Sequence, residues 1–133
     1  PRTYGHFLSG VLAGDGYLCL EQNRIKRIEL YFDPNKIADE ALFYIEMLRR
    51  LGLRRFAVRI CYNRDDNVRK GKAIKLAEEL RKVFMNVKAN PKNNILGLGG
   101  RIYIYQEDIA KLSQYNLFYP NISRNETFYR LLK

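Results

Sequence analysis

Hydrophobic and polar positions alternate with period two in four stretches of this chain and recur at helical spacing in the segments between them. In Tyr17–Asn23, Leu18 and Leu20 fall on one face and Tyr17, Cys19, Glu21 and Asn23 on the other, the signature of a half-buried strand. Asn23-Arg24-Ile25-Lys26 reads as a bend. Alternation resumes over Arg27–Asp33, with Ile28, Leu30 and Phe32 opposed to Arg27, Glu29, Tyr31 and Asp33. The pair predicts an antiparallel hairpin with one apolar and one basic-aromatic face. Leu53–Asn63 opposes Phe56, Val58, Ile60 and Tyr62 to Arg55, Ala57, Arg59, Cys61 and Asn63. Arg101–Gln106 opposes Ile102 and Ile104 to Arg101, Tyr103 and Tyr105.

Helical spacing predicts a first helix over residues 3–13. A second runs from Ile37 to Leu51 on the stripe Ala38, Leu42, Ile45, Leu48 and Leu51, after Asp33-Pro34-Asn35-Lys36 and before the terminator Gly52. A third covers Lys70–Met85 on Ala73, Leu76, Ala77, Leu80 and Phe84, with lysines and arginines on its other side. Lys88–Asn94 reads as a polar loop around Pro91, Ile95–Gly100 as a glycine-rich link, and Glu107–Tyr115 as a short helix. The order is helix, strand, strand, helix, strand, insertion, strand, helix. It predicts one α+β domain over 1–133, with a four-stranded antiparallel sheet, an insertion at 64–99 and an extension at 116–133. One sheet face packs on helices, and the other is left for an anionic partner.

Charge supports such a partner. Twenty-four Lys and Arg face 14 Asp and Glu, a net +10 over 133 residues, and ten tyrosines are interleaved with them. No apolar run reaches the ~18 residues of a membrane span, and the start at Pro1 lacks a signal-peptide pattern. We expect an intracellular protein without a membrane partner, in a processed or trimmed form because the first residue is not Met. A single His, two Cys with no CxxC motif and no GxxxxGK[ST] loop argue against histidine-based hydrolysis, structural zinc and a P-loop. Any chemistry falls to carboxylates and hard cations.

The stretch His6–Leu18 concentrates that chemistry. Its helix carries Ser9, Gly10, Ala13 and Gly14, small residues that let a second helix approach closely. Gly14-Asp15-Gly16 then stops it and fixes one carboxylate at the tip. The same residues suit a buried helix with a glycine stop and a solvated Asp.

Leu8-Ser9-Gly10-Val11-Leu12-Ala13-Gly14-Asp15-Gly16 resembles the signature of the LAGLIDADG homing endonucleases. The order of elements over residues 3–115 is similar to that family's αββαββα unit. The resemblance implies that Asp15, with the Gly14 carbonyl, binds the divalent cation. It also implies that Ser9, Gly10, Ala13 and Gly14 form the seam between two units, and that the sheets form a saddle on DNA. A polar residue ending the second strand near the metal is implied too, for which Asp33 and Lys36 are the candidates. Ala13 stands where many members carry an acid that does not bind metal.

On this reading the chain is a site-specific double-stranded DNA endonuclease serving intron or intein mobility. Mg²⁺, or another divalent cation such as Mn²⁺, activates water and neutralises the phosphate. One motif supplies one carboxylate, so a homodimer, or the second half of a longer two-motif chain, must supply the other. Strand faces would read DNA through Tyr17, Glu21, Asn23, Arg27, Glu29, Tyr31, Arg55, Arg59, Asn63, Arg101 and Tyr103. The alternative is a non-cleaving DNA- or RNA-binding relative, a regulator or an intron-splicing maturase.

Overall fold

A computed structural model describes residues 16–21, 24–36 and 40–112, with backbone alone for 16–21, 24 and 112. Its elements are β1 (Gly16–Glu21), β2 (Arg24–Phe32), α1 (Leu42–Arg50), β3 (Ala57–Asn63), α2 (Asn67–Arg81), β4 (Val87–Lys92), β5 (Leu98–Tyr105) and α3 (Gln106–Ile109). Short 3-10 turns lie at Pro34–Lys36 and Ala110–Leu112. The class is α+β, as expected, but the sheet has five strands in the order β1-β2-β5-β3-β4. It is mixed rather than antiparallel, because β3 and β4 run parallel. The expected first helix and residues 113–133 lie outside the described residues. No described helix is long and apolar enough to cross a membrane.

The contacts divide the chain into two compact units, and β2, α1 and β5 pass from one to the other. The first unit holds β1 and most of β2, paired antiparallel with Gly16 opposite Leu30 and Leu18 opposite Ile28. A bulge shifts the register after Cys19, so Leu20 pairs with Ile25 and Glu21 with Arg24. The extra residue, Lys26, lets Ile25 be buried out of phase with the rest of its strand. The expected bend at Asn23–Lys26 is therefore strand from Arg24 onward.

Also in this unit, α1 ends in a Schellman motif. Leu53 N–H donates to Leu48 O and Gly52 N–H to Arg49 O, with Gly52 at φ +91. The terminator read at Gly52 is thus the left-handed residue that the motif requires. Leu51, Leu53 and Phe56 follow it into the core. Within the described residues the expected 107–115 helix is one turn of α3 followed by a 3-10 turn ending at Leu112, and residues 113–115 lie outside them.

The second unit is built on β3, α2 and β4, a strand–helix–strand crossover that fills the segment read as a helical insertion. Asp66 caps α2, its Oδ1 accepting from Arg69 N–H at 3.0 Å, so the helix begins three residues before Lys70. Hydrogen bonds from the Arg69 backbone and side chain hold the Asp66 carboxyl below its usual range. Because that carboxyl is depressed, the capping contribution is complete above the ordinary Asp pKa. It is lost as pH falls through the folded value.

Ala73, Ala77 and Leu80 of α2 and Phe84 beyond its end are buried, together with Val58, Ile60 and Val87 of β3 and β4. Residues 88–92, read as a loop, are strand despite Pro91. As the outer strand of the sheet among the described residues, β4 has one side with no described ladder to complete, where a proline is tolerated. Gly100 in β5 is where Phe32 crosses closest: a Cβ there would lie 2.4 Å from the ring and 2.6 Å from Phe32 O.

Candidate nucleic-acid interface

Within the second unit, strand alternation sorts β3 and β4 into two faces. Parallel pairing sets Val58 beside Val87 and Ile60 beside Ala89 on one face. Arg59 beside Lys88, Cys61 beside Asn90 and Asn63 beside Lys92 make the other. Burial tells which face α2 covers, since Val58 and Val87 are buried while Lys88 is exposed. The uncovered face continues on β5 with Gly99 and Arg101, and Arg101 lies 5.6 Å over the ring of Tyr31. A cation stacked on a tyrosine, flanked by Arg, Lys and Asn, is chemistry suited to phosphates and base edges.

Several of these side chains also hold the fold. Arg59 Nη1 donates to Val58 O at 2.9 Å and to Asn86 O and Oδ1 at 3.3 and 3.2 Å. This secures the chain entering β4. Asn63 donates through Nδ2 to Ile95 O and accepts at Oδ1 from Asp65 N–H, at 3.2 and 3.1 Å. Cys61 and Ala57, read as outward, are buried, so β3 is covered almost completely on both sides.

The first unit treats the corresponding pattern differently. Glu29 is buried and ion-paired to Arg27, Nε to Oε2 at 2.9 Å. Arg27 lies 4.6 Å over the Tyr103 ring. Tyr103 is buried too, and its hydroxyl has no hydrogen-bond partner among the described residues. These three candidates are brought together, but as an internal cluster rather than an open surface. Arg55 is exposed and pairs with Glu107 at 2.6 Å.

Sequence reasoning missed Asp108 altogether. Its buried carboxylate accepts from the Arg54 and Arg55 N–H groups at 3.2 and 2.8 Å and pairs with Lys111 at 3.3 Å. Its only signal in the sequence is an acid in the first turn of a short helix.

Ser9, Gly10, Ala13, Gly14, Asp15 and Asn23 lie outside the described residues. Of Tyr17 and Glu21 only register is described, with Tyr17 opposite Glu29 and Glu21 opposite Arg24. Asp33 follows the end of β2 and caps the 3-10 turn, its Oδ1 accepting from Asn35 N–H at 2.9 Å. Its own N–H donates to Glu40 Oε2 at 2.5 Å. Lys36 is exposed, and its N–H donates to Asp33 O. Among the described residues no group of three or more His, Cys, Asp and Glu is placed to hold a metal. No protein-family model, no curated protein and no solved structure matches the chain.

Proposed function

We propose that the chain is a LAGLIDADG-type, Mg²⁺-dependent, site-specific double-stranded DNA endonuclease that acts as a homodimer. The observation that carries this reading is the sheet face of the second unit that α2 does not cover. Arg59, Asn63 and Arg101 are partly exposed there and Tyr31 is exposed, although Ala57 and Cys61 on the same face are buried. Its Tyr31, Arg101, Arg59 and Asn63 lie opposite an apolar face sealed by α2. The order of elements supports it as well. With α2 and β4 set aside, the described elements run strand, strand, helix, strand, strand, helix, the remainder of an αββαββα unit once its first helix is removed. β1 begins at Gly16, the last residue of the Gly-Asp-Gly motif.

Asp15 and the Gly14 carbonyl of each copy would hold the cation, a hard-oxygen donor set of the kind Mg²⁺ takes while keeping several waters. The cation would supply an activated water and neutralise the phosphate during hydrolysis. Asp33 and Lys36 remain the polar candidates after β2, and the helix bearing Ser9, Gly10 and Ala13 is the proposed seam between copies.

The test incubates the pure chain and its Asp15→Asn variant with a pool of randomised duplexes and Mg²⁺, sequencing the cut ends. We expect recurrent cleavage at one near-palindromic sequence, reduced by at least about 10²-fold in Asp15→Asn with duplex binding kept. Cleavage that persists in the variant overturns the mechanism. Sequence-specific binding with no cleavage by either protein would favour the regulator or maturase reading.

A further inference from the structure

We propose that β4 is an additional DNA-reading strand, with Lys88 and Lys92 on phosphates and Asn90 between them on a base edge. The inference rests on the reading of the adjoining sheet face as the DNA surface, and extends that surface beyond the strands the sequence pattern indicated.

Three observations carry it. First, pairing in register with β3 sets Lys88, Asn90 and Lys92 on the face away from α2, beside Arg59, Cys61 and Asn63. Second, among the described residues these three side chains have no hydrogen bond or ion pair, unlike Arg59 and Asn63 beside them. Lys88 and Arg59 are like charges at neighbouring positions, an arrangement that disfavours the sheet unless an anion lies over both. Third, residues 57–97 contain ten Lys and Arg against four Asp and Glu, a net +6 of the chain's +10. That balance complements a duplex.

Spacing along the strand fits the division of roles. Between the Arg59–Lys88 and Asn63–Lys92 pairs lie Cys61, which is buried, and the half-buried Asn90 beside it. At about 3.3 Å per residue, Lys88 and Lys92 are roughly 13 Å apart, about four base-pair steps of a duplex. Asn offers the paired donor and acceptor that match an adenine edge in the major groove.

Lysines on an outer strand also guard against edge-to-edge aggregation, and the experiment separates the two roles. Binding of the full chain to labelled duplexes is measured without divalent cation, from about 50 to 300 mM salt. Lys88→Ala/Lys92→Ala is expected to weaken binding to every duplex and to lower the slope of log K against log salt by about two. Asn90→Ala is expected to keep the slope but lose preference at one base position in a selection from randomised duplexes. Lys70→Ala/Lys75→Ala, an equal loss of charge on α2, is the control and should leave the slope within about half a unit. An unchanged slope in the β4 double variant, or an equal fall in the control, overturns the proposal. So does a double variant altered only in aggregation. A parent chain that binds no duplex overturns the DNA reading as a whole, whereas a parent that binds alongside an unaffected β4 variant overturns this inference alone.

Discussion

The two compact units put similar alternating sequences to opposite uses. In the first, Arg27, Glu29 and Tyr103 are drawn into an internal cluster, with Glu29 only 4% and Tyr103 6% exposed. In the second, Lys88, Asn90, Lys92, Arg101 and Tyr31 stand on a face that α2 leaves uncovered, and Tyr31 is 41% exposed. Period two reports which residues share a face. It does not report whether that face is buried, and only burial decides whether an arginine is a structural ion or a ligand-seeking one.

The contrast is broken most forcefully at Glu29. Glu29→Ala removes a buried carboxylate that pairs with Arg27 in a largely covered position. Removing one member of a buried pair costs about 3–5 kcal/mol. We expect the lower end, about 3 kcal/mol, because Arg27 keeps 23% of its side chain in water. Chemical denaturation checks this, and DNA affinity per folded molecule should be unchanged. A variant of normal stability with weakened DNA binding would place Glu29 in the interface and dissolve the distinction between the units.

Arg101 is the matching probe on the other side. It stacks on Tyr31 and is partly exposed, so its contacts are screened by water. Arg101→Ala should therefore cost less stability than Glu29→Ala. In DNA binding, loss of one contact to phosphate or guanine is worth about 1–2 kcal/mol, roughly ten-fold in Kd. A stability loss as large as that at Glu29, with affinity intact, would make the open face another structural cluster.

Legibility in the sequence followed the same divide between local pattern and tertiary fate. The α+β class, α1 with its Gly52 stop, and the core residues Ile28, Leu30, Phe32, Val58, Ile60, Ile102 and Ile104 were readable, because each sits in an unbroken period with its terminator in place. The start of β2 was not, because the bulge at Lys26 puts Ile25 on the core side and breaks the phase. β4 escaped because Val-Lys-Ala-Asn-Pro-Lys has one strong apolar residue and a proline. Its strand character comes from the ladder offered by β3, not from its own propensity. Asp108 had to be seen in place, since its partners are the N–H groups of Arg54 and Arg55, more than 50 residues away. The open basic face was half legible: Arg59, Asn63 and Arg101 were in view, whereas Lys88, Asn90 and Lys92 were hidden in an apparent loop.

The mildest perturbation asks whether the side of the second unit bearing α2 is as inert as the comparison requires. Gly71 is exposed in the middle of α2, and a Cβ built on it meets nothing within 4 Å. A glycine there costs the helix backbone entropy with no packing contact among the described residues in return. Gly71→Ala should stabilise the protein by roughly 0.5–1 kcal/mol, a rise in Tm of a few degrees for a chain of this size. If α2 only seals the apolar face, the gain comes with unchanged DNA affinity and an unchanged oligomeric state. If the missing side chain instead admits the backbone of a partner, the added methyl group blocks that approach. Thermal stability then rises while binding or self-association falls, and α2 must be counted with the open face rather than against it.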